Sequence, residues 1–282
     1  NRVRITAQLV NAADGYHIWS ENYDRNLTDI FEVQDEISSI IVNKLRENLA
    51  AKEHEEKLVK VPTQNIEAYT LFLKGLHFYN KITPNDSKKA IECFEKAITL
   101  EAGYAHAYAM AAAAYAYLGA TGQMQPKDAF EIVHKYSDTA LQLDSSLAAG
   151  HSARGAAYLL YDWKWKDAYD SLTKAIKLNP ATTGAYQLLS FYYQITGRKK
   201  EAVDTMERAL QVDPLSPIIN QYLADAYFNA GRTDDALKRA EWLLEMHPQM
   251  RISLQLKGWC FGMKGDWKKA SEIFEEVYRL TK

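Results

Sequence analysis

The sequence predicts an all-α superhelix, a solenoid of about six stacked helical hairpins, preceded by a small β-hairpin and a long helix. Two observations predict the solenoid. Apolar runs of helical length alternate with short polar turns through most of the chain, and in its last third the same residue types return every 34 positions. Because a single helical hairpin cannot bury its own apolar face, such units must stack on one another.

Four kinds of residue share this period. They are an alanine, a glycine, an aromatic residue and a proline: Ala202, Ala236 and Ala270; Gly197, Gly231 and Gly265; Tyr193, Tyr227 and Phe261; and Pro180, Pro214 and Pro248. Each glycine follows an apolar run, where the left-handed conformation at a helix C-terminus favours glycine, and each proline comes where the next helix begins. One unit is therefore a helix, a turn, a second helix and a proline that separates it from the next unit.

The same register continues toward the N-terminus with insertions. The repeat that contains Gly155, Tyr158 and Ala168 is one residue longer than the period, and its extra residue falls in the turn YDWKWKDA. The repeat before it has about nine extra residues, and the first repeat has about three. The predicted repeats lie near residues 68–104, 105–147, 148–182, 183–216, 217–250 and 251–282.

The period, the small residue ahead of each aromatic (Ser190, Ala224 and Gly258) and the fixed alanine and proline resemble the tetratricopeptide repeat (TPR). In that family the first helix of each repeat lines the concave surface of the superhelix. The resemblance implies a scaffold that binds a peptide or a partner protein there.

The register set by the small residue and the aromatic predicts which side chains face inward. The predicted partner-binding residues are Tyr79, Asn80, Tyr117, Gln187, Phe191, Gln194, Gln221, Asp225, Phe228, Asn229, Gln255 and Trp259. The same register turns inward Tyr69, Phe72, Leu76, His106, Ser152, Leu159 and Leu160.

These inward residues are rich in aromatic rings and amides, and they include almost no Lys or Arg. Amides pair with an extended peptide backbone and aromatics supply contact area, so the expected ligand is an uncharged or mildly apolar segment. Some relatives grip the C-terminal carboxylate of chaperones with Lys, Arg and Asn, and this groove lacks those cations. Asp225 is interpreted either as a ligand contact or as a solvated groove residue. The alternative for the aromatics is that several pack between repeats and leave little open groove.

The first sixty residues follow a different pattern. Residues 2–10 alternate apolar and polar side chains, which predicts a half-buried strand. Asp14-Gly15 then predicts a turn, and YHIWSENYD predicts the returning strand. Apolar residues from Ile30 to Leu49 fall on one helical face and predict the long helix. The charged segment AAKEHEEKLVKVPTQ is interpreted as an extension of that helix and a linker.

A two-stranded hairpin is marginal by itself, so residues 1–60 are predicted to be a fragment of a larger domain, with the solenoid at 61–282. The stretch RITAQLVNAADGYHIWSENYDRNLTDIFEVQDEI resembles the end of the TolB-amino-terminal-like domain that precedes TPR arrays in some bacterial signalling proteins. This resemblance implies that the fragment is the C-terminal end of an α/β domain. In such proteins the upstream part is often a class III adenylate or guanylate cyclase. The resemblance implies the regulatory part of a multidomain signalling protein, with the C-terminal half of a cyclase as the alternative.

The charge balance argues against nucleic acid as a partner. The chain has 34 basic and 36 acidic residues and a net charge of −2, so it shows no electrostatic footprint for nucleic acid or an anionic membrane. Its longest weakly polar stretch, YAHAYAMAAAAYAYLGA, is built from alanine and contains His106, so no membrane insertion is expected. The expected partner is a protein or peptide, and upstream domains of the same chain or a second copy stay open.

Motifs for catalysis are missing from the sequence. It contains no phosphate-binding loop, dinucleotide fingerprint, G-x-S-x-G or H-E-x-x-H, and its histidines and cysteines lack metal-ligand spacing. No catalytic residue, metal or cofactor is therefore predicted for these 282 residues. The expected location is cytoplasmic; a periplasmic location stays open because the chain does not begin with Met.

Overall fold

The structure is a computed structural model of the chain, and it describes residues 2–10, 17–26, 37, 40 and 63–280. The chain divides into two compact units, Asn1–Tyr69 and Thr70–Lys282. The domain limits predicted from the sequence, 1–60 and 61–282, stay a prediction.

The first unit contains the predicted β-hairpin. Strands β1 (Arg2–Val10) and β2 (His17–Asn26) pair antiparallel, with Ile5 opposite Tyr23. The predicted alternation is present in the middle of β1, where Ile5 and Ala7 are partly buried and Arg4, Thr6 and Gln8 are exposed. One face of this hairpin therefore carries its apolar contacts.

That apolar face packs on two helical residues. Ile37 and Ile40 are helical, and Ile37 is buried in one cluster with Tyr23. The rest of the long helix predicted after the hairpin lies outside the described residues, as do the predicted Asp14-Gly15 turn and residues 50–62 of the charged linker.

Six helical hairpins follow, and they confirm the predicted solenoid. Their paired helices are α1 (Ile66–Tyr79) and α2 (Pro84–Leu100), α3 (Ala105–Ala120) and α4 (Pro126–Leu143), α5 (Ala148–Ala157) and α6 (Trp165–Leu178), α7 (Thr183–Ile195) and α8 (Lys199–Val212), α9 (Pro217–Asn229) and α10 (Thr233–Met246), and α11 (Arg251–Met263) and α12 (Trp267–Arg279).

The periodic glycines end the first helices as predicted. Gly197, Gly231 and Gly265 have φ angles of 78°, 79° and 81°, the left-handed region in which a side chain would be strained. Beyond the first of them, the Arg198 amide donates to the Tyr193 carbonyl at 2.8 Å, so the helix end keeps its hydrogen bonds. The turn from first to second helix is therefore the same in the last three repeats.

The small residues of the first helices allow close packing against the second helices. A methyl group added to Gly75 would lie 2.5 Å from the Phe94 ring, and one added to Gly258 would lie 2.9 Å from the Phe274 ring. Atoms cannot approach so closely without displacement, so a side chain at these two crossings would force the phenylalanine ring to shift. In a further repeat Ala224 is fully buried at this position.

The extra residue of the third repeat is absorbed in a π-helical turn. Residues Tyr158–Asp162 continue α5 as one wide turn, and the Lys164 amide donates to the Tyr158 carbonyl at 3.0 Å. Trp163 then takes the left-handed conformation, with φ of 58°. A π-turn holds one more residue than an α-turn, so the second helix still begins in register.

Helix α3 is thin because most of its residues are alanine. Its buried residues include Ala109, Ala112 and Ala116, which face three neighbouring elements without long side chains. No helix within the described ranges is long and apolar enough to cross a lipid bilayer.

Candidate functional site

The first helices of all six hairpins border one open cavity, which we call the concave groove. Its volume is about 840 Å³, and its described lining comes from α1, α3, α5, α7, α9, α11 and the residues just beside them. No second helix supplies a lining residue in this part of the chain. The alternation of first and second helices thus separates the groove from the convex side.

Ten of the twelve predicted binding residues line the groove. They are Tyr79, Asn80, Tyr117, Gln187, Phe191, Gln194, Asp225, Phe228, Asn229 and Trp259. The other two, Gln221 and Gln255, are buried and partly buried and lie outside the lining. From the wider inward set, Ser152 and Leu160 line the groove, whereas Phe72 and Leu159 are buried in the packing. Tyr69, Leu76 and His106 are outside the lining.

One groove-facing position that recurs through three repeats was not predicted from the sequence. It is the residue after each predicted glutamine, and Leu188, Tyr222 and Leu256 all line the groove there. The 34-residue period that placed the glutamines also placed these residues, so the signal was present. The floor near α3, made by Ala113 and Ala116, was also missed.

Aromatic rings provide the exposed apolar surface of the groove. Phe191 is 44% exposed and Trp259 is 49% exposed, so neither ring is fully buried by packing between repeats. Phe228 lies beside Trp259, with ring centroids 6.3 Å apart. These three rings come from α7, α9 and α11 and give the groove apolar contacts on three neighbouring repeats.

Two amides are joined across neighbouring repeats. Asn229 Nδ2 donates to Gln194 Oε1 at 2.6 Å, and Gln194 Nε2 lies 3.4 Å from Ser190 Oγ. Ser190 Oγ in turn donates to the Ala202 carbonyl at 3.0 Å. The bonds hold both amides in place, while Asn229 keeps its carbonyl oxygen for a ligand.

Asp225 is held by a second polar chain. Gln221 Nε2 donates to Asp225 Oδ1 at 3.0 Å, and the buried Ser253 Oγ donates to Gln221 Oε1 at 2.6 Å. Burial raises the pKa of Asp225 to about 6, and the hydrogen bond from Gln221 opposes this only in part. Burial, with the nearby Asp225 charge, also raises the pKa of Tyr222 to about 12.

Charged side chains are scarce in the described lining of the groove. Its described lining contains no Lys, Arg or His, and Asp225 is the only acidic residue in it. No three His, Cys, Asp or Glu side chains come together as a metal site anywhere in the described ranges. Its chemistry is that of a recognition surface with aromatic contacts, amides and one carboxylate.

Stacked helical hairpins whose first helices form one concave groove define a helical-repeat solenoid. Two sequence profiles described as "Tetratricopeptide repeat" match this chain, one over residues 223–282 and the other over residues 83–104 and 183–214. The described hairpins thus form a solenoid of the tetratricopeptide-repeat type, and the profiles match its residues 83–104, 183–214 and 223–282.

One curated relative shares part of the sequence. A stretch of 109 residues is 37% identical to "Putative adenylate cyclase 3" of Rhizobium meliloti (strain 1021). This stretch is 39% of the present chain and 18% of that relative's length. The similarity thus covers less than half of this chain and a small portion of that protein.

Solved structures share the fold. A thermophilic TPR protein of Thermus thermophilus, TTC0263, matches with a TM-score of 0.54 and 20% identity over 69% of this chain and 97% of its own. PilF of Pseudomonas aeruginosa matches with a TM-score of 0.51 and 20% identity over 76% of this chain and 91% of its own. At such identities the likeness shows the architecture alone.

Proposed function

We propose that the solenoid is a protein-interaction scaffold that holds an extended segment of a partner protein in its concave groove. The observation that carries this proposal is the pair of half-exposed rings, Phe191 and Trp259, in a groove bordered by all six first helices. Aromatic side chains supply large contact areas at low entropic cost and dominate many interfaces.

The polar groups of the groove suit a peptide backbone. The Gln194–Asn229 pair has acceptor capacity left over, and Gln187 lies in the same lining. Amide groups can bond both the N–H and the C=O of an extended segment. Since Lys and Arg are missing from the described lining, a segment rich in carboxylate or phosphate is disfavoured.

The test uses peptides selected from a random phage-displayed library on the whole 282-residue chain. Their affinities are then measured by fluorescence polarisation for wild type, Phe191→Ala and Trp259→Ala. Loss of a central aromatic anchor should weaken binding by about tenfold or more. The matched control is Trp267→Ala, because Trp267 is 72% exposed and lies outside the groove. Equal losses for Trp259→Ala and Trp267→Ala would contradict the proposal.

We also infer that this scaffold is the regulatory part of a multidomain bacterial signalling protein and that residues 1–60 belong to a TolB-like domain. A second candidate is the C-terminal regulatory half of a class III adenylate or guanylate cyclase. The 37% identity over 109 residues to the relative named an adenylate cyclase favours it. In either case the partner segment can come from an upstream domain, another protein or a second copy, in the cytoplasm.

One measurement separates these candidates, and a second tests the scaffold proposal itself. Reading the gene upstream of the codon for Asn1 shows whether a cyclase domain precedes this chain. Purified residues 1–282 are expected to form no cyclic AMP or cyclic GMP, because the sequence has no phosphate-binding motif. Sustained cyclic nucleotide production by this purified chain would contradict the scaffold proposal.

A further inference from the structure

Asp225 presents one carboxylate oxygen to the groove. Its Oδ1 accepts from Gln221, whose own carbonyl is held by the buried Ser253 hydroxyl. No hydrogen bond or ion pair to Oδ2 is formed by any residue that the structure describes. One carboxylate oxygen is therefore held by the chain, and the other is left for a ligand in the groove.

This charge has no counter-charge nearby. The groove lining contains no Lys, Arg or His among the described residues, so no cation of the chain neutralises Asp225 there. The raised pKa of Asp225 reflects the same situation, since burial penalises an unpaired carboxylate. A ligand that supplied a positive charge would remove this penalty.

Aromatic residues line the same groove as the Asp225 carboxylate. Phe228 and Trp259 lie side by side near it along the helical register, and Tyr222 is close enough to Asp225, Tyr79 and Tyr117 to feel each of them electrostatically. Aromatic faces attract cations, and the attraction grows where water is excluded.

Tyr117 adds an acceptor to this group. Its hydroxyl donates to the Ile82 carbonyl at 3.1 Å, so the hydrogen is used and the oxygen lone pairs are left. An ammonium or guanidinium group carries donors and no acceptor, which is the complement of a carboxylate and a phenol oxygen.

We propose that Asp225 and the aromatic residues around it form a subsite for one cationic side chain, lysine or arginine, of the bound segment. This inference rests on the proposed scaffold function and refines its ligand, which is otherwise apolar or uncharged. The cation pairs with Asp225 Oδ2 while its methylene stem lies against Phe228 and Trp259.

The first arm of the test uses n-butylammonium chloride, which carries the end of a lysine side chain, and n-butanol as its neutral counterpart. The whole chain is titrated with each while the Trp259 indole N–H resonance is followed by NMR. Butylammonium should give a saturable shift, and the affinity derived from it should be about tenfold or more weaker in Asp225→Asn. Butanol should give no such shift. The matched control Asp213→Asn changes an exposed acid outside the groove and should leave the shift unaltered.

Equal butylammonium binding by wild type and Asp225→Asn, or no saturable shift at all, would overturn the subsite. The second arm compares phage-selected peptides for wild type and Asp225→Asn, and Lys or Arg at one fixed position should be enriched for wild type alone. Peptides that depend on Phe191 but show no such enrichment would overturn the subsite and leave the scaffold proposal standing. Butylammonium binding at Asp225 without any peptide that depends on Phe191 would overturn the scaffold proposal and leave only a cation site at Asp225.

Discussion

Trp163 and Gly197 occupy the same place in neighbouring repeats, 34 residues apart, and both have a positive φ, 58° and 78°. A left-handed backbone costs a non-glycine residue roughly 1–2 kcal/mol. We therefore expect Trp163→Gly to raise the free energy of unfolding by about 0.5–1.5 kcal/mol. Chemical denaturation followed by circular dichroism measures this change.

Gly197→Ala is the reciprocal variant and should lower the free energy of unfolding by about 1 kcal/mol. Trp163 is 67% exposed and contacts Trp165 with ring centroids 5.4 Å apart. A destabilised Trp163→Gly variant would mean that this ring contact outweighs the backbone strain.

A second prediction concerns helix crossings. A methyl group at Gly155 would lie 2.8 Å from Leu172 side-chain atoms, whereas one at Gly184 would meet nothing within 4 Å. Gly155→Ala should therefore destabilise the chain by about 1–3 kcal/mol, the usual cost of overpacking. Gly184→Ala lies in α7 and should be neutral or slightly stabilising, because alanine favours the helix. Thermal melts of both variants check this, and equal shifts would mean that Leu172 can move aside.

The third prediction tests the polar chain beneath the groove. Gln221→Ala removes the acceptor of the buried Ser253 hydroxyl and the donor to Asp225, so it should cost about 1–3 kcal/mol of unfolding free energy. Asn229→Ala removes an exposed bond to Gln194 and should change stability by about 0.5 kcal/mol or less. Denaturant titrations compare the two. Similar values would show that water replaces Gln221 without loss.

The fourth prediction is a pH dependence. The pKa of Asp225 is raised from 3.8 to about 6 in the folded chain, so its protonated form is favoured by folding. Its stabilising contribution is present below pH 3.8 and is lost as the pH rises through about 6. Without ligand, the free energy of unfolding of Asp225→Asn should change less with pH over this range than that of wild type. At pH 7 the variant should be more stable than wild type by on the order of 1–2 kcal/mol, a value reduced for the partial exposure of Asp225. Parallel pH profiles of the two proteins would contradict the burial of this charge.

Local signals explain why the solenoid could be predicted from the sequence. Gly197, Gly231 and Gly265 end helices through their own backbone conformation, and this requirement is visible in one residue type. Glycines such as Gly75 mark crossings for a similar reason, because a partner ring occupies the place of a side chain. The π-turn could be predicted only in part, because the repeat length shows where the extra residue lies but not which hydrogen bonds it makes.

The groove required information that spacing does not contain. Gln187 and Gln221 hold equivalent positions, yet Gln187 lines the groove and Gln221 is buried. The difference comes from Ser253, which lies 32 residues beyond Gln221 and holds its amide inward. Tyr222 was not predicted because a helical face is wide enough to present two adjacent positions to the groove. The 34-residue period does not tell which of the two, Gln221 or Tyr222, faces inward.

The alanine floor from helix α3 has a consequence for how a bound segment could slide. Ala113, Ala116 and Ala120 offer a smooth surface without pockets that distinguish one side chain from the next. A segment lying over them can shift lengthwise at little cost, whereas Asp225 and Trp259 at another part of the groove offer a charge and a ring. We therefore expect one end of the ligand to set its alignment, while the other end tolerates different sequences and lengths.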